Sequence, residues 1–205
     1  TLDLPDFESA DRLLQHVLAP AATSTESMDD VEHRMPLPQT LLEAATGLRI
    51  VSLTGLGRTE AATSLLRSTV ALTPDHLSGI LHGLTSASRL LQPERQKSVG
   101  EIQLAAVEMA GLNIQTLSDS ELDTFGTVIA SALEQTGQAS QAADVLNRLL
   151  ARRPSDTAMR RRLADLLMAS NKPADVQAAQ LHFRKLEASF RAGDADWMDA
   201  RVHVI

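Results

Sequence analysis

The 205-residue chain has no cysteine and no tyrosine, one tryptophan and four phenylalanines. Without cysteine it has no disulfide, no thiolate nucleophile and no Cys-ligated zinc. Aromatics make up 2% of the residues while hydrophobic residues make up 43%. Sheets normally draw on aromatic and β-branched side chains, whereas the apolar share here is mostly Leu and Ala, both good helix formers. Positive charge is also scarce: 19 Lys and Arg face 26 Asp and Glu, a net charge of −7. That excludes the basic field on which broad binding to nucleic acid or anionic lipid depends. No apolar run approaches the roughly 20 residues of a bilayer-spanning helix, so direct membrane insertion is not expected. No basic start followed by an apolar run marks a signal peptide, and nothing assigns a compartment. The chain starts at Thr1 and stops on Val202-His203-Val204-Ile205 inside a helical pattern. It therefore reads as a piece of a longer protein, cut at the C-terminal end.

What is present is apolar spacing of three and four. Leu13, Leu14, Val17 and Leu18 form a short stripe, with Asp6 placed to cap it. Residues 20–38 then break the pattern with Pro20, Pro36, Pro38 and a run of Ser, Thr and Asp, the composition of a polar connector. Two regions follow: an N-terminal helix with connector at 1–37, and a helical domain at 38–205. The spacing predicts helices over 6–19, 38–55, 58–72, 76–91, 94–111, 119–136, 138–152, 156–170, 173–191 and 194–205. Gly57, Gly111, Gly137 and Gly193 stand where helices stop and a left-handed residue is needed. Pro74, Pro93, Pro154 and Pro173 stand at helix boundaries. Ser118-Asp119-Ser120-Glu121 has the form of a capping box. The fold class is all-α, with short links that force antiparallel hairpins.

Two segments align without a gap. Gly57 leads to Ala62, Leu66 and Pro74; Gly137 leads to Ala142, Leu146 and Pro154, at the same offsets. This pattern resembles the tetratricopeptide repeat, a 34-residue helix-turn-helix unit. Units numbered by it begin at Glu43, Leu77, Asp123, Thr157 and Asp194, spaced 34, 46, 34 and 37 residues apart. Gly126, Ile129, Ala130 and Leu133 hold the packing positions of the third unit; Arg160, Leu163, Ala164 and Leu167 hold those of the fourth. Ala179, Phe183 and Leu186 recover the second-helix positions after an insertion at 171–175. Small residues let helices approach, large ones fill the space around them, and each hairpin leaves a face for the next to cover. Arg49 departs from the pattern at a position that is normally apolar. The second unit carries twelve extra residues, and Val99, Ile102, Ala105, Ala106 and Met109 point to a long second helix there. The other reading of the same punctuation is an unrelated helical bundle in which Gly and Pro merely end helices.

The resemblance implies a right-handed superhelical solenoid and a non-catalytic scaffold that presents a concave groove to a peptide or protein. In the family, positions 2, 5, 9 and 12 of the first helix line that groove. Here they are Thr124, Thr127, Ser131 and Glu134, then Ala158, Arg161, Asp165 and Met168. Arg161 suits bidentate grip of a carboxylate. The Lys and Asn of the chaperone-binding clamp are missing. Trp197 falls where the family prefers Trp, a core position, and loss of the following helix would leave part of it bare. A regulatory or substrate-positioning appendage of a larger enzyme or assembly protein is the alternative, and uncapped repeats make self-association a third expectation.

No chemistry-bearing constellation competes with this. His76 and His82 are six apart on different helix faces and cannot share a metal as an i, i+4 pair would. His182 lies near Glu187 and His203 near Asp199, which reads as surface pairing. Gly55-Leu56-Gly57 follows no strand and lacks a phosphate-binding lysine. There is no nucleophile elbow, and Asp194-Ala195-Asp196 lacks the rest of a calcium loop. No enzyme activity, metal or cofactor is expected. Arg152, Arg153, Arg160, Arg161 and Arg162 form one basic cluster, either a solvated face or an anion-binding spot.

Overall fold

The computed structural model describes residues 7–18, 38–68, 74–89 and 91–204. The connector at 20–37, with Asp6 and His33, lies outside the described residues, as do 69–73 and Ile205. Ten α-helices run in order through the described residues: α1 Phe7–Leu18, α2 Gln39–Gly55, α3 Thr59–Ser68, α4 Pro74–Ser88, α5 Pro93–Met109, α6 Asp119–Gln135, α7 Ala139–Arg152, α8 Thr157–Ala169, α9 Pro173–Ser189 and α10 Ala195–Val202. One 3-10 turn, Ile114–Thr116, precedes α6. No strand occurs among the described residues.

The punctuation works as the residue types require. Gly57 and Gly137 adopt φ of 78°, the left-handed state that costs an L side chain about 1 kcal/mol or more. The following N–H groups close the helix ends: Arg58 N–H donates to Leu53 O and Gln138 N–H to Leu133 O, each at 2.8 Å. The capping box forms as expected: Ser118 N–H donates to Glu121 Oε2 at 2.7 Å and Glu121 N–H to Ser118 Oγ at 3.4 Å. The Ser118 hydroxyl, then its backbone N–H, holds the Glu121 carboxyl below its ordinary range.

The chain divides into two compact units, 1–113 and 114–205. In the first, α2 packs against α1, α3 and α4, and α4 against α5. Ile50, Leu66, Leu77, Ile80, Leu81, Leu84 and Val99 are fully buried there. The long α5 buries Val99, Ile102 and Ala106 as the spacing predicts, but Met109 is exposed and Gln103 is buried instead. The Gln103 amide donates to Thr85 Oγ1 at 2.9 Å, while its Oε1 is buried with no hydrogen-bond partner. The α1 stripe is also shifted. Leu13 is 68% exposed while Asp11 is 6% exposed, so the buried face runs through Phe7, Asp11 and Leu14 at helical spacing.

In the second unit each helix packs on the next: α6 on α7, α7 on α8, α8 on α9 and α9 on α10. The small residues sit where the packing argument places them. Ala130, Ala142, Ala164 and Ala179 have no exposed surface, and a Cβ at Gly126 would lie 3.0 Å from both Leu122 and Leu149. Ile129, Leu133, Leu146, Leu149 and Leu163 fill the space around them.

Candidate functional site

The surface proposed from the sequence lies on α6 and α8. The α6 residues Thr124 and Thr127 are exposed, and the Thr124 hydroxyl folds back onto Ser120 O at 2.8 Å. The Ser131 hydroxyl donates to Thr127 O at 3.1 Å and accepts from Arg162 Nη2 at 2.8 Å. Glu134 accepts from Arg162 Nε at 2.8 and 3.1 Å. Arg162 thus ties two of the predicted α6 residues to α8, a role that spacing alone did not single out.

An open depression of about 500 Å³ is lined by Glu134, Ala158, Arg161, Arg162, Asp165, Leu166 and Ala169. Four of the eight predicted residues, Glu134, Ala158, Arg161 and Asp165, therefore come together. Thr124, Thr127 and Ser131 lie outside that lining. Met168 packs instead against the cluster of Ala164, Ala179, Phe183, Leu186 and Ala200.

The electrostatics differ from the reading of one basic cluster. Arg161 pairs with Asp199 and, at 3.7 Å, with Asp196, both on α10. Arg152 grips Asp123 through Nε at 3.1 Å and Nη2 at 2.7 Å and reaches Asp119 at 2.6 Å. Arg153 adds a contact to Asp123 at 3.3 Å. The Arg152 hydrogen bond is the main cause that holds the Asp123 carboxyl below the usual range, and the same bond raises the Arg152 guanidinium. Arg160 is 9% exposed and donates to Pro154 O. Each of the five arginines has a partner within the second unit, so none is a free anion site. Asp165 is exposed and engages in no ion pair among the described residues.

The histidine pairings expected from proximity do not form. Glu187 takes Arg201 at 2.7 Å, and His203 stacks on Phe183 with ring centroids 4.4 Å apart. His182 is half-buried and its Nδ1 is unpartnered. Burial first, then Arg160 and Lys185, pushes its pKa down. Trp197 is half-buried, with the Arg201 guanidinium 5.1 Å from its ring centre, a cation–π contact. Arg148, which the sequence reading passed over, clasps the turn before α6 by donating to Ile114 O at 3.0 Å and Leu117 O at 2.6 Å.

Among the described residues no group of three or more acidic or imidazole side chains is placed to hold a metal ion, and no helix is long and apolar enough to cross a membrane.

No curated protein and no solved structure matches the chain. The family model of the tetratricopeptide repeat matches residues 127–166, a segment that covers the later part of α6, all of α7 and most of α8. Over 127–166 the chain is thus similar to the tetratricopeptide repeat, a helical-repeat unit.

Proposed function

We propose that the second unit is a non-catalytic scaffold that binds a peptide or protein across the α6–α8 surface, and that its helix pairs stack in the right-handed sense of the family. The observation that carries this reading is the depression lined by Glu134, Ala158, Arg161 and Asp165, beside the segment that the family model matches. Stacked hairpins supply rigidity, and a rigid surface loses little freedom on binding. Thr124, Thr127 and Ser131 extend the surface along α6.

The charge of this surface selects the partner. Arg162 is neutralised by Glu134, and Arg161 faces two carboxylates, Asp196 and Asp199. Asp165 is left without a cation among the described residues. A partner with Lys or Arg opposite Asp165 fits, whereas an acidic partner has to displace Asp199 from Arg161. Peptides selected from a random display library against this chain are expected to be enriched in basic residues. Ala158→Arg and Asp165→Lys are expected to weaken their binding at least tenfold. Gln141→Arg, on the exposed face of α7, is expected to leave it unchanged. Equal losses from all three variants would count against the α6–α8 surface.

A further inference from the structure

Four charged side chains line the α6–α8 depression: Glu134, Arg161, Arg162 and Asp165. Their formal charges balance, yet Asp165 alone of the four has no ion pair or hydrogen bond among the described residues. Local spacing does not account for that. Arg161 stands four residues before Asp165 and Arg162 three before it, the two separations at which side chains on a helix surface meet. Either arginine is placed to neutralise Asp165 from within α8.

Both are drawn to other helices instead. Arg162 gives Nε to both carboxylate oxygens of Glu134 on α6 and Nη2 to the Ser131 hydroxyl. Glu134 is the firmer hold, because a charged acceptor binds a guanidinium more strongly than a neutral hydroxyl does. Arg161 is taken by Asp199 and Asp196 of α10. The carboxylate of Asp165 is thus left open by contacts that it does not itself make.

Resting on the reading that a basic partner docks on the α6–α8 surface, we propose that Glu134 and Asp199 are positioning residues of that surface: they hold Arg162 and Arg161 off Asp165, so that it receives a single lysine or arginine of the partner. The stem of that side chain lies over Ala158, Leu166 and Ala169, the apolar part of the lining, and its charged head meets Asp165. A second basic residue finds no second open carboxylate in the depression, since Glu134 is spent on Arg162.

The probe is a peptide selected against this chain that carries one lysine, together with its analogue in which norleucine, uncharged, replaces that lysine. The lysine form is expected to bind the wild-type chain about fivefold more tightly, the scale of one partly exposed ion pair, and Asp165→Asn is expected to abolish that preference. Glu134→Ala is expected to abolish it as well, because Arg162 turns onto Asp165. Arg162→Ala is expected to keep or enlarge it, since Glu134 is then released as a second carboxylate. The Glu134→Ala/Arg162→Ala double variant is expected to restore it, and as that variant lacks the same ion pair, weakened folding does not explain the loss in Glu134→Ala. A preference lost alike in both single variants and in the double variant would overturn the proposal, because the pair would then act only by holding α6 to α8. A preference that survives Glu134→Ala would overturn it too, because Arg162 would not be competing for Asp165. Either result leaves a peptide that depends on Asp165, so the docking reading stands. Failure of the docking reading shows instead as binding that ignores both Asp165→Asn and Ala158→Arg, and the positioning role falls with it.

Discussion

Arg162 on α8 donates through Nε to both carboxylate oxygens of Glu134 on α6, at 2.8 and 3.1 Å. The pair joins α6 to α8 at the rim of the proposed surface, and Ser131 completes it by accepting from Nη2 at 2.8 Å. Both side chains remain about a third exposed, so solvent screens part of the attraction.

Glu134→Ala is therefore expected to destabilise the second unit by about 1 kcal/mol, the scale of a charge-assisted hydrogen bond that is partly wet. A double-mutant cycle with Arg162→Ala, read by urea unfolding, is expected to give a coupling of the same sign. Zero coupling would mean that the pair does not link the two helices energetically.

Ala142 has no exposed surface and stands at a close-approach position. Ala142→Arg is expected to cost about 4 kcal/mol or more through overpacking and a buried charge. A shift of melting temperature near zero in this variant would speak against the helix-pair packing.

The pH response follows from His182 and Asp123. Burial holds His182 below its ordinary pKa, so the unfolded chain takes up a proton before the folded one as pH falls. Stability is then greatest above the ordinary histidine range and declines as pH drops through it. His182→Gln is expected to flatten that part of the curve of unfolding midpoint against pH, and an unchanged slope would remove His182 as its cause. Asp123, lowered chiefly by Arg152, contributes stability that persists above the ordinary carboxylate range and is lost as pH falls through its own lower pKa. Asp123→Asn is expected to blunt the acid limb of the same curve.

Helix positions were legible because their signals are local. Gly57 and Gly137 end helices by an intrinsic backbone preference, and Ser118 and Glu121 cap α6 from three residues apart. The close-approach alanines were legible because their spacing repeats between units. The charge pattern was not. Arg162 finds Glu134 at a separation of 28 residues and Arg49 finds Asp11 at 38, distances that periodicity does not encode, so five arginines read as one patch although each is spent elsewhere. The same blindness hid Asp11: an acid on the buried face of α1 becomes sensible only with Arg49 beside it. Arg148 was missed because its acceptors are backbone carbonyls of an irregular turn, and carbonyls leave no trace in residue identity. Half of the predicted surface, Glu134, Ala158, Arg161 and Asp165, converges on one depression because positions 2, 5 and 9 recur on one face of α8 and position 12 of α6 lies beside them.

The α6–α8 surface is tested most directly by amide hydrogen exchange of the full chain with and without a selected basic peptide. Binding across that surface predicts slowed exchange concentrated in α6 and α8, with α7 and α9 unchanged. Protection confined to α7 and α9, or spread evenly over the four helices, would contradict it.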